Sequence, residues 1–321
     1  MALAITLLIL GLAILIVGGE SLVRGAASIA RKLGVKPLVV GLTVVAFGTS
    51  APELIVNIFS ALNGTTDIAI GNVIGSNIAN ILLILGIAAT IFPLAVHKGT
   101  TWKEVPLALL AALLVFVMGN DLMFDGVANN ALTRTDGFAL MAFFFIFLYY
   151  TFGISKVEGD KGEGKDDTKK YSWTLSTILT IGGIIGLFFG GKLLVDNATI
   201  LARLAGMSEA LIGLTIVAVG TSLPELVTSV IAALRKEADI AVGNVVGSNI
   251  FNIFWILGLT ATLYPLPFNP MISIDVAINV LVTLLLFVFM FISSKHKLDR
   301  WQGIVFILLY ITYIGYLIQR G

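Results

Sequence analysis

"GLTVVAFGTSAPEL" at Gly41–Leu54 returns as "GLTIVAVGTSLPEL" at Gly213–Leu226. At the same shift of 172 residues, "DIAIGNVIGSNIANILLILG" from Asp67 returns as "DIAVGNVVGSNIFNIFWILG" from Asp239, and Gly18-Gly19 falls on Gly190-Gly191. No gap separates the matches, so the chain consists of two related halves. Each half sets Thr, Ser, Pro and Glu inside an otherwise apolar stretch, where a carboxylate and a helix breaker are both costly.

The surroundings make that cost specific. Of 321 residues, 58% are hydrophobic and 12% charged, against about 25% charged in soluble domains, and mean hydropathy is +1.01. Apolar runs long enough to cross a hydrocarbon core of about 30 Å recur throughout. This composition specifies an all-α polytopic membrane protein. A net charge of +1 gives no electrostatic footprint for nucleic acid, and the absence of cysteine excludes disulfides and thiolate metal sites. The apolar N-terminus has no Lys or Arg before it and takes part in the repeat, so it reads as the first span rather than a signal peptide.

Ten spans are predicted, near 2–30, 38–61, 67–91, 104–119, 137–155, 172–202, 210–233, 239–263, 272–293 and 301–319. The first and sixth are long enough to tilt strongly or to extend past the membrane. The hydrophilic stretch Ser155–Lys170 reads as a flexible linker without EF-hand spacing. The domains are therefore 1–155, a linker at 156–171, and 172–321. Five spans per half is an odd number, so the halves lie upside down relative to each other. Alternate loops collect sixteen Lys and Arg on one side, and only Arg134, Arg203 and Arg320 on the other. The positive-inside rule then makes the linker cytoplasmic and leaves both termini outside.

Inverted repeats with interrupted helices hold substrate at their interface in secondary transporters. Pro52 and Pro224 lack the N–H that the carbonyls of Gly48 and Gly220 would receive. Those carbonyls, the hydroxyls of Thr49, Ser50, Thr221 and Ser222, and the carboxylates of Glu53 and Glu225 are all oxygen ligands. Ser76 with Asn80, and Ser248 with Asn252, are spaced i, i+4 and share a helix face. Gly71 and Gly75, like Gly243 and Gly247, are expected to admit a neighbouring helix. The pooled set suits Ca²⁺ or Na⁺ rather than zinc or copper. Kinking by proline, backbone bonding by Ser and Thr, and helix packing by Asn and Gly are the blander explanations. They do not account for two acids at mid-membrane.

Other charges read structurally. Glu20–Arg24 and Lys192–Asp196 are i, i+4 pairs expected to hold the first helix of each half. Asp67 and Asp239 are expected to cap helices, and Asp121, Asp125 and Asp136 to be solvated in a loop. His97 and His296 need no special role.

The doubled "GTSxPEL" and "GNVxGSNIxN" motifs resemble the two α-repeats of the cation/Ca²⁺ exchanger superfamily, and most closely the prokaryotic sodium/calcium exchangers. The resemblance covers essentially the whole chain. It implies Glu53 and Glu225 as shared central ligands and Thr49, Ser50, Thr221 and Ser222 as hydroxyl or carbonyl ligands. It further implies the carbonyls of Ala46 and Ala218, with Ser76, Asn80, Ser248 and Asn252 completing the walls. The first and sixth helices become a gating pair. Many members carry Asp where this chain has Asn252, which leaves two carboxylates here instead of three acids.

The expected function is Na⁺/Ca²⁺ antiport by alternating access, with a Ca²⁺/H⁺ antiporter and, in another class, a passive cation channel as alternatives. No enzyme motif such as GxxxxGK[ST] or HExxH is present. No cofactor and no protein partner is implied. The expected setting is a prokaryotic cell membrane, with Na⁺ and Ca²⁺, or H⁺, as transported ions.

Overall fold

Long apolar runs without water must pair their own backbone, and helix is the way a single run does so. The computed structural model describes residues 1–96, 98–124, 126, 130–157, 171–206, 218–268, 270–292 and 296–320. In the first half lie α1 (Ala2–Leu33), α2 (Pro37–Thr49), α3 (Ala51–Leu62), α4 (Thr66–Ile91), α5 (Glu104–Met118) and α6 (Arg134–Val157). The second half has α7 (Trp173–Leu204), α8 (Ala218–Thr221), α9 (Leu223–Leu234), α10 (Ala238–Leu263), α11 (Pro270–Phe289) and α12 (Arg300–Arg320).

Each predicted span holds helix among the described residues. Seven helices are long and apolar enough to cross a membrane, and the bent α2–α3 pair makes an eighth. The 24-residue α6, and α9 with the short α8 before it, occupy the remaining two positions. His97, Asp125, linker residues 158–170 and the start of the seventh span lie outside the described residues.

α4 and α10 form the centre: within their most apolar stretches 72% and 94% of residues are buried, against 28% in α1 and α7. The last helix of each half crosses over to the other. α12 packs on the end of α4, where a Cβ on Gly303 would lie 2.6 Å from the Gly86 carbonyl. α6 packs on the end of α10, where a Cβ on Gly137 would lie 2.7 Å from the Gly258 carbonyl. Short antiparallel strands tie the same elements. β1 (Leu94–Ala95) pairs with β4 (Lys297–Leu298), and β2 (Ala131–Leu132) with β3 (Leu266–Pro267). Two-residue strands have no period to read, and the sequence reading has only loops there.

α1 and α7, at 32 residues each, pack on one another through glycines. A Cβ on Gly11 would meet the Gly190 carbonyl at 2.9 Å, and one on Gly18 the Gly183 carbonyl at 3.0 Å. Gly11 and Gly18 are the repeat mates of Gly183 and Gly190, so the contacts exchange partners as a two-fold crossing requires. Gly183→Ala would place a carbon 2.6 Å from the Leu22 amide nitrogen. Backbone cannot yield cheaply, so this substitution is expected to cost about 1–3 kcal/mol and lower the thermal midpoint measurably. An unchanged midpoint would show that the seam is slack.

Several charged positions depart from expectation. Asp67 and Asp239 are not caps: the capping positions are Thr65 and Glu237, neither making a side-chain cap bond, and each Asp sits in the first turn. An acid there still favours the positive end of the helix dipole. Asp136 is engaged rather than free, because its Oδ2 accepts from the Thr133 amide at 2.8 Å while Thr133 Oγ1 accepts from the Asp136 amide at 3.4 Å. That reciprocity is a capping box at the start of α6. Asp121 likewise accepts from the Ala131 amide at 3.2 Å. Both i, i+4 pairs form, Glu20 with Arg24 and Lys192 with Asp196. Glu20 also reaches Arg235 at the C-terminal cap of α9, a link the sequence reading lacks.

Candidate cation site

The repeated motif breaks its helix at the same place in both halves. Ser50 sits at φ −83°, ψ 8° and Ser222 at φ −87°, ψ 6°, outside the helical basin. Pro52 and Pro224 stand near the start of the following helices, where a missing N–H costs nothing. α2 and α3 meet at 45° across the break. Glu53 and Glu225 fall in the first turns of α3 and α9, and both are 1% exposed. A carboxylate at a helix N-terminus is electrostatically favoured, which eases the burial of both.

The two acids lie within electrostatic reach of each other, each beside the hydroxyls of the opposite half. Glu225 Oε1 accepts from Ser50 Oγ at 3.0 Å and from Ser248 Oγ at 3.4 Å. Glu53 stands beside Thr221 and Ser222, yet neither of its carboxylate oxygens has a hydrogen-bond partner. Ser222 Oγ donates to Ser76 Oγ at 3.2 Å. Thr49 Oγ1 donates to Asn244 Oδ1 at 3.1 Å, and Thr221 Oγ1 to Asn72 Oδ1 at 3.3 Å, an exchange of repeat mates. The Ala46 carbonyl accepts from the Ser50 amide at 3.0 Å and from Thr49 Oγ1 at 3.3 Å, so it is already engaged within its own helix. Ala218 starts α8.

Beyond the serines, α4 and α10 cross through four asparagines. Asn77 Nδ2 donates to the Asn249 carbonyl and Asn249 Nδ2 to the Asn77 carbonyl, both at 3.2 Å. Asn80 Nδ2 donates to Asn249 Oδ1 at 2.9 Å, and Asn252 Nδ2 to Asn77 Oδ1 at 3.0 Å. The amide nitrogens of Asn80 and Asn252 thus bond across the crossing, and Asn80 Oδ1 and Asn252 Oδ1 are buried without a partner. The helices widen into π turns here, at Asn80–Leu85 and Phe251–Leu257. Such turns concentrate at functional sites.

Gly243 and Gly247 admit α2 as expected, a Cβ on Gly247 meeting Leu42 and Ala46 at 2.8 Å. Residues 210–217, the repeat counterparts of most of α2 that would meet Gly71 and Gly75, lie outside the described residues.

Nearly all the sequence-derived site residues converge, and Thr49, Ser50, Ser76, Ser222, Ser248, Asn80 and Asn252 are each at most 3% exposed. Missed were Asn72, Asn77, Asn244 and Asn249, though all four stand inside the repeated motif. Asn57 and Ser229 were missed as well; Asn57 donates to the Glu53 carbonyl at 3.0 Å and Asn244 to Ser229 Oγ at 2.9 Å. Chemically, the centre offers two carboxylates, hydroxyls and amide oxygens. Among the described residues no group of three or more His, Cys, Asp and Glu is assembled.

Two halves meeting at a buried cluster of acids and amides define a transporter of cations. A family model described as "Sodium/calcium exchanger protein" matches residues 3–153 and 175–319. The inner membrane protein YrbG of Escherichia coli is 38% identical over 297 residues, covering 89% of this chain and 88% of its own length. The sodium/calcium exchanger MaX1 of Methanosarcina acetivorans is 33% identical over 338 residues, covering 96% of each chain. A structure of the sodium-calcium exchanger NCX_Mj, soaked with 10 mM Na⁺ and zero Ca²⁺, superimposes with a TM-score of 0.85 at 37% identity over 98% of both chains. The chain belongs to the sodium/calcium exchanger family.

Proposed function

We propose that this chain is a secondary antiporter, not an enzyme, that exchanges Na⁺ for Ca²⁺ across a prokaryotic cell membrane at a site centred on Glu53 and Glu225. One observation carries the placement. Five buried oxygens of one cluster, both of Glu53, Oε2 of Glu225, and Oδ1 of Asn80 and Asn252, have no hydrogen-bond partner. Buried polar atoms are paired in the great majority of cases, so a group of orphaned oxygens marks a place for a cation. Ca²⁺ takes 6–8 oxygens, and the Ser and Thr hydroxyls supply the remainder once they turn their lone pairs inward. Thr49 and Thr221 hold the rim, Ser50 and Ser222 stand between the acids, and Ser76 and Ser248 line the walls. The carbonyls of Ala46 and Ala218 contribute as well, that of Ala46 after Thr49 releases it.

Charge explains the coupling. With both carboxylates ionised, the empty site would carry two negative charges in a low-dielectric interior, which disfavours drawing the apolar faces of α1 and α7 across it. One Ca²⁺ or two Na⁺ neutralise it, and the gating pair then slides at little electrostatic cost. Exchange follows because only a loaded site switches sides. The side of excess Lys and Arg is the cytoplasm, so the 156–171 linker lies inside and both termini outside.

The test is Ca²⁺ uptake by vesicles of purified protein, loaded with Na⁺ and diluted into Na⁺-free buffer. A parallel set carries an acid interior instead. Uptake driven by Na⁺ is expected. Uptake driven only by protons would make the protein a Ca²⁺/H⁺ antiporter, and uptake with neither gradient would make it a channel.

A further inference from the structure

The two halves are related by a repeat, but the ends of the gating pair are not equivalent. At the linker end α1 lies tight on α9: a Cβ on Gly19 would come 2.8 Å from Val227 Cγ1 and 3.0 Å from Ile231 Cδ1. Ile231 is 9% exposed there. At the opposite end the mates are Gly191, Ile55 and Phe59. The nearest atoms to a Cβ on Gly191 are 3.9 Å and 4.0 Å away, on Leu15 and Pro224 and not on α3. Ile55 is 42% exposed and Phe59 60%. The structure is shut at the linker end and open at the other.

Charges follow the same asymmetry. Glu20 of α1 accepts from Arg24 Nε at 2.7 Å and, through Oε2, from Arg235 Nε at 2.8 Å, so it joins the gating helix to the end of α9. Arg31 of α1 pairs with Glu237 at 3.6 Å. Arg235 and Glu237 flank Lys236, which turns the chain at φ 62° and is fixed by Lys236 N–H to the Ala233 carbonyl at 3.0 Å. At the other end the repeat mates of Glu20, Arg235, Arg31 and Glu237 are Lys192, Asn63, Arg203 and Thr65. Lys192 bonds Asp196 on its own helix at 2.9 Å, and Asn63 and Thr65 carry no charge. A cavity of about 380 Å³ adjoins the linker-end pairs, lined by Arg24, Arg31, Tyr171, Arg235 and Glu237, so the network is open to water.

We propose that Glu20, Arg31, Arg235 and Glu237 form an ion-pair latch that holds the gating pair against the site-bearing core at the linker end. The latch biases the resting transporter toward opening at the opposite end. Its identity as the cytoplasmic gate rests on the orientation proposed above; its effect on the two ends does not. The repeat makes two near-equal conformations available, and the latch exists in only one of them. Exposed ion pairs are each worth little, but two pairs across a balanced equilibrium shift it severalfold.

The chain has no native cysteine, so single-cysteine reporters are clean. I231C reports the linker end and F59C the other end, each followed by its rate of modification with a small polar thiol reagent on purified protein. In the Glu20→Gln background the I231C rate is expected to rise about fivefold and the F59C rate to fall. Arg31→Glu alone and Glu237→Arg alone are expected to act in the same direction, and the Arg31→Glu, Glu237→Arg double variant to restore the original rates. High KCl is expected to reproduce the effect of Glu20→Gln in the unsubstituted protein, because the pairs are partly exposed and therefore screened. Rates unaffected by Glu20→Gln, or a double variant no closer to the original than its singles, would overturn the latch. Labelling needs no ion flux, so absence of Na⁺-driven uptake would count against the exchange reading alone.

Discussion

Glu53→Gln is expected to lower Na⁺-driven Ca²⁺ uptake by about 10²–10³-fold, the equivalent of losing one partner of a buried charge pair. The carboxylate is 1% exposed and neither oxygen is held by a protein donor. The start of α3 eases the burial of that carboxylate in part, and a bound cation would offset the remainder. The amide keeps the shape and removes the charge, leaving Ca²⁺ with one carboxylate and an uncompensated positive charge in the interior. Glu225→Gln is expected to fall in the same range, with the added loss that an amide nitrogen placed at Oε1 would face the hydroxyls of Ser50 and Ser248.

A second readout separates this account from simple misfolding. Without ions, Glu53→Gln is expected to melt at or above the temperature of the unsubstituted protein, because it removes a buried carboxylate whose oxygens no protein donor satisfies. The unsubstituted protein is expected to gain stability as Ca²⁺ is added, as binding to the native state requires, and Glu53→Gln to gain little. A variant that melts lower in the absence of ions, yet still responds to Ca²⁺, would place the binding centre elsewhere.

The features legible from sequence were those the repeat doubled. Glu53 and Glu225 stand out because a mid-membrane acid is expensive, and one recurring at the same register is not an accident of composition. The ten-helix layout followed from apolar run length and from the alternation of Lys and Arg. Asn77 and Asn249 were legible in principle and passed over. An i, i+4 reading gathers Ser76 with Asn80 on one face, whereas Asn77 lies about 100° around the helix. Two helices that cross at the centre of a bundle bury more than one face, so the second face carried the crossing. Thr133 and Asp136 show the S/T-x-x-acid spacing of a capping box, which the loop assignment obscured. The Glu20–Arg235 link spans 215 residues and joins helices whose contact depends on which gate is closed. No local pattern encodes that, and only the failure of charge to repeat at Asn63 and Lys192 hints at it. The strand pairs are two residues long, too short to leave a period of two.

Asn252→Asp is expected to reduce Ca²⁺ uptake at neutral and alkaline pH by about 10- to 100-fold, although it adds a third acid to a cation site. The reason lies in the direction of the amide bonds. Asn252 donates Nδ2 to Asn77 Oδ1 at 3.0 Å, and Asn77 in turn donates Nδ2 to the Asn249 carbonyl at 3.2 Å. An aspartate has no proton for that bond and would set two acceptors against each other. Turning the Asn77 amide over would satisfy the aspartate but press Oδ1 against the Asn249 carbonyl. Either arrangement leaves a buried polar group unsatisfied, at about 1–3 kcal/mol. A protonated aspartic acid can donate to Asn77 Oδ1 and restore the chain of bonds. The ratio of Asn252→Asp activity to that of the unsubstituted protein is therefore expected to rise as pH falls, and uptake measured from pH 6 to pH 9 tests this. The same logic applies to Asn80, whose Nδ2 donates to Asn249 Oδ1 at 2.9 Å, so Asn80→Asp is expected to behave alike. If Asn252→Asp instead takes up Ca²⁺ better at every pH, the third acid is acting as a simple ligand. The crossing asparagines would then be free to rearrange, and the absence of an acid at residue 252 would reflect the charge balance of exchange rather than the geometry of the crossing.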